Sequence, residues 1–107
     1  MALTRDFRIT IVARARRDHR FCEALLTEAI DDCLAGETAV GRSILRDLVN
    51  ATIGFEKLAV AVGKPSKSLH RMLSEKGNPS MDNLAAIFGA VRKRLGVAFQ
   101  AHAVEAT

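Results

Sequence analysis

The chain has 107 residues, 49% of them apolar, which is one domain's worth of chain with matter for a modest core. Five Phe, no Tyr, no Trp and only two Pro leave a mix dominated by Ala, Leu, Val and Ile, which suits packed helices better than a β-sandwich. Residues 1–54 carry eight Lys/Arg against eight Asp/Glu, and residues 55–107 carry eight against four, so the formal charge of +4 belongs to the second half and suggests a polyanion as partner.

No apolar run approaches the roughly 18 residues of a membrane span. The opening MALTRDFRIT has no apolar signal-peptide core. The expectation is a cytoplasmic protein with no membrane partner.

The first helix is expected from about Thr4 to Arg17, with Thr4 as N-cap, Asp6 in the first turn and Phe7, Ile11, Val12 and Ala15 at helical spacing. Arg14, Arg16 and Arg17 gather at its end, where cations offset the helix dipole. Asp18 can cap a second helix running to about Ala35. Its apolar pairs at 21/22, 25/26, 29/30 and 33/34 recur with a period near four, and Gly36 suits the C′ position. Cys22 and Cys33 fall in this helix, about 16 Å apart at roughly 1.5 Å per residue. A disulfide needs Cα atoms within about 7 Å, so the pair is expected as small buried thiols. A third helix follows over Thr38–Ala51, with Val40, Ile44, Leu45, Leu48 and Val49 on one face.

Residues 55–74, FEKLAVAVGKPSKSLHRMLS, carry the chemistry. Ala59 is small where two helices must approach closely. Gly63, four residues on, suits a turn with positive φ. Leu58 and Val62 point inward from the first helix of the pair, and Leu69, Met72 and Leu73 from the second. Pro65 cannot continue the first helix and disfavours α conformation at Lys64. Ser66 is expected to cap the second. This is the pattern of a helix-turn-helix. Outside it remain Ser66, Lys67, Ser68, His70 and Arg71, mostly near the N-terminal half of the second helix, the half that meets base edges in a major groove. Lys67 and Arg71, four apart, share a face. Arg can grip guanine O6 and N7 with two bonds. Lys76 and Asn78, just beyond, are expected on phosphates.

The stretch 55–95 resembles the lambda-repressor-like helix-turn-helix domains. Ala59, Gly63 and Leu69 match that family's small, turn and core positions. KGNPSMDNLAAIFGAV resembles its following loop and helix, with Ser80 as N-cap, Asp82 in the first turn and Leu84, Ile87 and Phe88 as core. The helix near 38–51 would be the one preceding the motif. The family often has Gln, a phosphate ligand, at the first motif position, where this chain has Phe55. Over nearly its whole length, through LTRDF, SILRDLVNATIGFEKLA and PSKSLHRMLSEKGNP, the chain resembles antitoxins of bacterial addiction modules. That resemblance implies a protein that neutralises a toxin, binds its own operator as a homodimer and represses the operon.

No enzyme is expected. His19, His70 and His102 are far apart without carboxylates spaced for a metal or a triad, and no phosphate loop, nucleophile elbow or zinc-protease motif occurs. No cofactor is expected either. Gly41 and Gly89, inside helices, each cost about 1 kcal/mol against Ala, which close helix packing could explain. Gly96 ends the helix bearing Arg92, Lys93 and Arg94, cations suited to its C-terminus or to phosphate. In the tail, Val97, Phe99, Ala101 and Ala103 alternate with Ala98, Gln100 and His102, a pattern that admits a short strand.

The expected architecture is therefore all-α: a helical bundle with a lambda-repressor-like helix-turn-helix and room for a short C-terminal strand. Residues 1–37 would form a helical extension and 38–107 the DNA-binding domain with its tail. The expected function is sequence-specific regulation of transcription, as antitoxin and autorepressor, with operator DNA and a toxin as partners. The alternative is a protein-interaction module that keeps the scaffold without binding DNA.

Overall fold

A computed structural model describes the backbone of residues 5–107 and the side chains of residues 7–107. Its six helices are α1 (Arg5–Ala15), α2 (His19–Leu34), α3 (Thr38–Ala51), α4 (Phe55–Val62), α5 (Ser66–Met72) and α6 (Met81–Leu95). The fold is all-α, and the described residues contain no strand. None of these helices is long and apolar enough to cross a membrane.

Local chemistry sets most of the boundaries. Asp18 caps α2, its carboxylate accepting from the Phe21 amide at 3.1 Å. Ser80 caps α6 in the same way, accepting from the Asn83 amide at 3.1 Å, and Asp82 lies in the first turn. Gly63 and Gly96 end α4 and α6 with φ of 68° and 70°, a left-handed geometry that a Cβ would strain. The expected cap Thr4 and the side chain of Asp6 lie outside the described residues.

Two expectations are corrected. Ser66 does not cap α5: the N-cap position is Pro65, extended at φ −62°, ψ 141°, with no side-chain cap bond. A capping hydroxyl must sit on the residue before the first helical one, and Ser66 is already helical. The alternation after Gly96 produces no strand. Val97 and Phe99 are drawn back onto α6 instead. The Val97 amide donates to the Arg92 carbonyl at 3.0 Å, and Phe99 meets Phe88 edge-on with ring centroids 6.0 Å apart.

An apolar cluster runs through all six helices and centres on Leu26, Leu45, Leu48, Leu58, Leu69 and Ile87, each essentially without exposure. α2 and α3 form its broadest contact, and α6 closes on α2, α3 and α4. Gly41 lets α2 and α3 approach: a Cβ there would collide with Cys33 Sγ and lie 2.8 Å from the Ala29 carbonyl oxygen. Gly89 has nothing within 4 Å of such a Cβ, so packing does not explain it. The close approach at Gly41 turns the buried face of α3 toward Gly41 and Arg42, leaving Val40 exposed and Ile44 half-buried. Phe7 of α1 is likewise 52% exposed, whereas Ala15 is buried. Cys22 and Cys33 are free thiols, the first buried and donating to the Ala15 carbonyl, the second half-buried. Burial pushes both thiols above their ordinary pKa.

Candidate nucleic-acid interface

α4 and α5 are short helices of eight and seven residues joined by the turn 63–65. Leu58 and Leu69 anchor them in the core, and Ala59, Val62 and Met72 pack against it half-buried. This fixes what α5 can show. Lys67, His70 and Arg71 are exposed, while Ser66 and Ser68 are half-buried at its start. Lys67 and Arg71 stand one turn apart on the outer face.

His70 has a particular posture. Its ring stacks on Phe55, centroids 3.8 Å apart and planes 18° apart. Phe55 is itself 6% exposed, so the residue at the first motif position is a floor for His70 and has no reach toward a phosphate. His70 thus presents an edge, with its face committed to Phe55.

Lys76 and Asn78 are exposed on the segment between α5 and α6. That segment is fastened by groups sequence reasoning did not single out. Arg42 of α3, 8% exposed, donates from its guanidinium to the Glu75 carbonyl at 3.0 Å and to the Ser74 carbonyl at 3.4 Å. It thereby serves chain just past the last turn of α5, where carbonyls lack helical partners. Ser74 folds its hydroxyl onto the Arg71 carbonyl at 2.7 Å. Gly77 passes so close to the end of α5 that a Cβ would collide with the Met72 carbonyl oxygen and lie 2.6 Å from that of Arg71. A signal for Arg42 was present: Arg42, Leu45 and Val49 share one phase of α3, and a cation at a core phase implies a buried partner.

A second buried charge sits away from this face. Asp47 of α3, 5% exposed, accepts from Arg8 of α1 at 3.5 Å, and Arg8 also donates to the Ser43 hydroxyl at 2.9 Å. Burial pushes the Asp47 carboxyl up, with the charge and hydrogen bond of Arg8 opposing the shift.

The structure thus brings Lys67, His70 and Arg71 onto one short helix, with Ser66 and Ser68 recessed beside them and Lys76 and Asn78 on the adjoining loop. Such a surface can donate hydrogen bonds and positive charge. Among the described residues no three His, Cys, Asp or Glu side chains gather as a metal site. No protein-family model, no curated protein and no solved structure matches the chain.

Proposed function

We propose that the protein is a sequence-specific DNA-binding regulator that lays α5 in the major groove of a duplex. The observation that carries this reading is the exposed pair Lys67 and Arg71 on a helix held by a tight glycine turn, followed at once by a pinned loop bearing Lys76 and Asn78. In this docking Arg71 meets a base edge and Lys76 a phosphate. Removing a base-reading Arg costs roughly 1–3 kcal/mol and relaxes preference at one base pair, whereas removing a phosphate-bound Lys weakens all sequences alike and lowers the salt slope by about one. Arg71→Ala should therefore depress operator binding far more than binding to random duplex, and Lys76→Ala should depress both together. Titrations over a salt series decide it. Parallel loss of both affinities in Arg71→Ala would show that another face enters the groove.

The finer reading, an antitoxin and autorepressor acting as a homodimer in the cytoplasm, is supported by the resemblance of the chain's segments to addiction-module antitoxins. Rescue of growth when the chain is co-expressed with the product of the adjacent reading frame tests it. A second reading, an interaction module without DNA binding, draws support from Phe55, which removes a phosphate ligand and claims one face of His70. Absence of any salt-dependent duplex binding would favour it.

A further inference from the structure

We propose that the groove between α1 and α3 is the docking site of an acidic amphipathic helix from a partner protein, whose apolar stripe covers Ile9, Val12 and Ala13 and whose carboxylates meet Arg16 and Arg46. The groove is a concavity of about 650 Å³. Its α1 wall carries Ile9, Val12 and Ala13, which share one helical face at i, i+3 and i+4. Ile9 is 57% exposed, Ala13 is exposed and Val12 is half-buried between them. Its α3 wall is polar, with Arg46, Asp47 and Asn50. A concave site with apolar side chains on one wall and charges on the other fits a ligand that is itself two-sided.

Charge selects the occupant. The carboxylate lining the groove, Asp47, is buried and already paired with Arg8 at 3.5 Å. Arg16 reaches across one end to the Asn50 carbonyl at 3.4 Å, a contact that leaves its charge uncompensated. Arg46 is half-buried and adds its charge beside Asp47. The ion pairs among the described residues use neither Arg16 nor Arg46. Arg16 also lines the adjoining cleft with Arg17 and Arg94, so the positive potential is strongest at that end. A second copy of this chain would bring arginine against arginine, so the groove is not self-complementary. A duplex offers negative charge but no apolar stripe for Ile9. An acidic amphipathic helix offers both, with apolar residues at i, i+3, i+4 and i+7 and carboxylates beside them. From Ile9 to Arg16 the wall runs about 10 Å, close to two turns of such a helix. No residue of α5 or of the loop behind it lines the groove, so the proposal stands apart from the DNA-binding reading.

The probe is a fluorescein-labelled peptide of Leu, Ala and Glu about four helical turns long, with leucines on one stripe and glutamates on both flanks, titrated with the full chain and read by anisotropy. It should bind with a micromolar, salt-sensitive Kd. Its isomer with lysine for every glutamate, and a scrambled peptide of the same composition, should each bind roughly tenfold more weakly. Arg46→Glu and Arg16→Glu should each weaken the glutamate peptide about fivefold or more and tighten the lysine isomer, a gain that an unfolded chain cannot give. Ile9→Ser should weaken the glutamate peptide without altering charge. Arg20→Glu makes the same change of net charge on the exposed face of α2 and should leave the affinity within about twofold. No binding of the glutamate peptide, equal binding of the scrambled one, or an equal loss in Arg20→Glu overturns the proposal. Indifference to Ile9→Ser together with displacement of the peptide by random duplex assigns the face to phosphate and overturns it as well.

Discussion

Arg42→Met removes the cation that fastens the loop after α5 while keeping much of the apolar stem volume. Two bonds are lost. The one to the Glu75 carbonyl, at 3.0 Å, is well formed, and the one to the Ser74 carbonyl, at 3.4 Å, is at the edge of usefulness. A hydrogen bond to a charged group contributes about 1.5–3 kcal/mol, so counting the first in full and the second as slight gives roughly 2–3 kcal/mol. In a domain of this size about 2 kcal/mol lowers the melting temperature by roughly 10 °C. The loss also frees the segment carrying Lys76 and Asn78, so duplex affinity should fall for operator and random sequence together. Differential scanning calorimetry gives the first effect and fluorescence anisotropy the second. Arg42→Lys, which keeps the charge and can make one of the bonds, should lie between. A melting temperature within about 2 °C of wild type for Arg42→Met would refute the assignment of Arg42 as the clasp of this loop.

Two further predictions follow from glycines and from buried charge. Gly41→Ala gains helix propensity of about 1 kcal/mol but sets a Cβ against the Ala29 carbonyl, so overpacking prevails and stability falls by about 1–2 kcal/mol. Gly89→Ala gains the same propensity with nothing to collide with and should raise stability by about 0.5–1 kcal/mol, so thermal melts of the pair should move in opposite directions. The carboxyl of Asp47 is raised above its ordinary 3.8. Below that ordinary value folded and unfolded chains are both protonated there. As pH rises through the folded pKa, the folded chain gives up its proton against the burial penalty, and this group's stabilisation is lost. Urea unfolding of wild type minus Asp47→Asn should therefore decline over the window above pH 3.8 and then level off; a rise there would refute the sign.

The elements were legible because their signals are local. Asp18, Ser80, Gly63 and Gly96 each act within one turn of their own position, and the period-four pairs of α2 need only their own helix. What the sequence hid depends on partners far along the chain. Gly41 is a contact with residues of α2, and its consequence, a rotated buried face on α3, put Val40 outside. Arg42 reaches over thirty positions forward to the end of α5. The candidate site divides the same way. The helical phase of Lys67 and Arg71 could be counted off, while the posture of His70 required knowing that α4 delivers Phe55 beneath it. Ser66 failed by one residue, the usual uncertainty of a helix boundary.

Net charge per half of the sequence does not map onto one face. Lys67, Arg71 and Lys76 cluster at α5, but Arg92, Lys93 and Arg94 close α6, whose far end lies roughly 21 Å from Met81 at about 1.5 Å per residue. There Arg94 shares a cleft of about 330 Å³ with Arg16, Arg17 and His19 from the formally neutral half. Arg92 turns to the Val97 carbonyl at 3.2 Å. In the proposed docking, α5 and the loop behind it face the duplex, and each cation that contacts a phosphate adds about one to the salt slope of operator binding. The salt slope therefore counts phosphate contacts, whichever half of the sequence supplies them. The +4 of the second half and the slope measure different things, and their agreement in number would be coincidence.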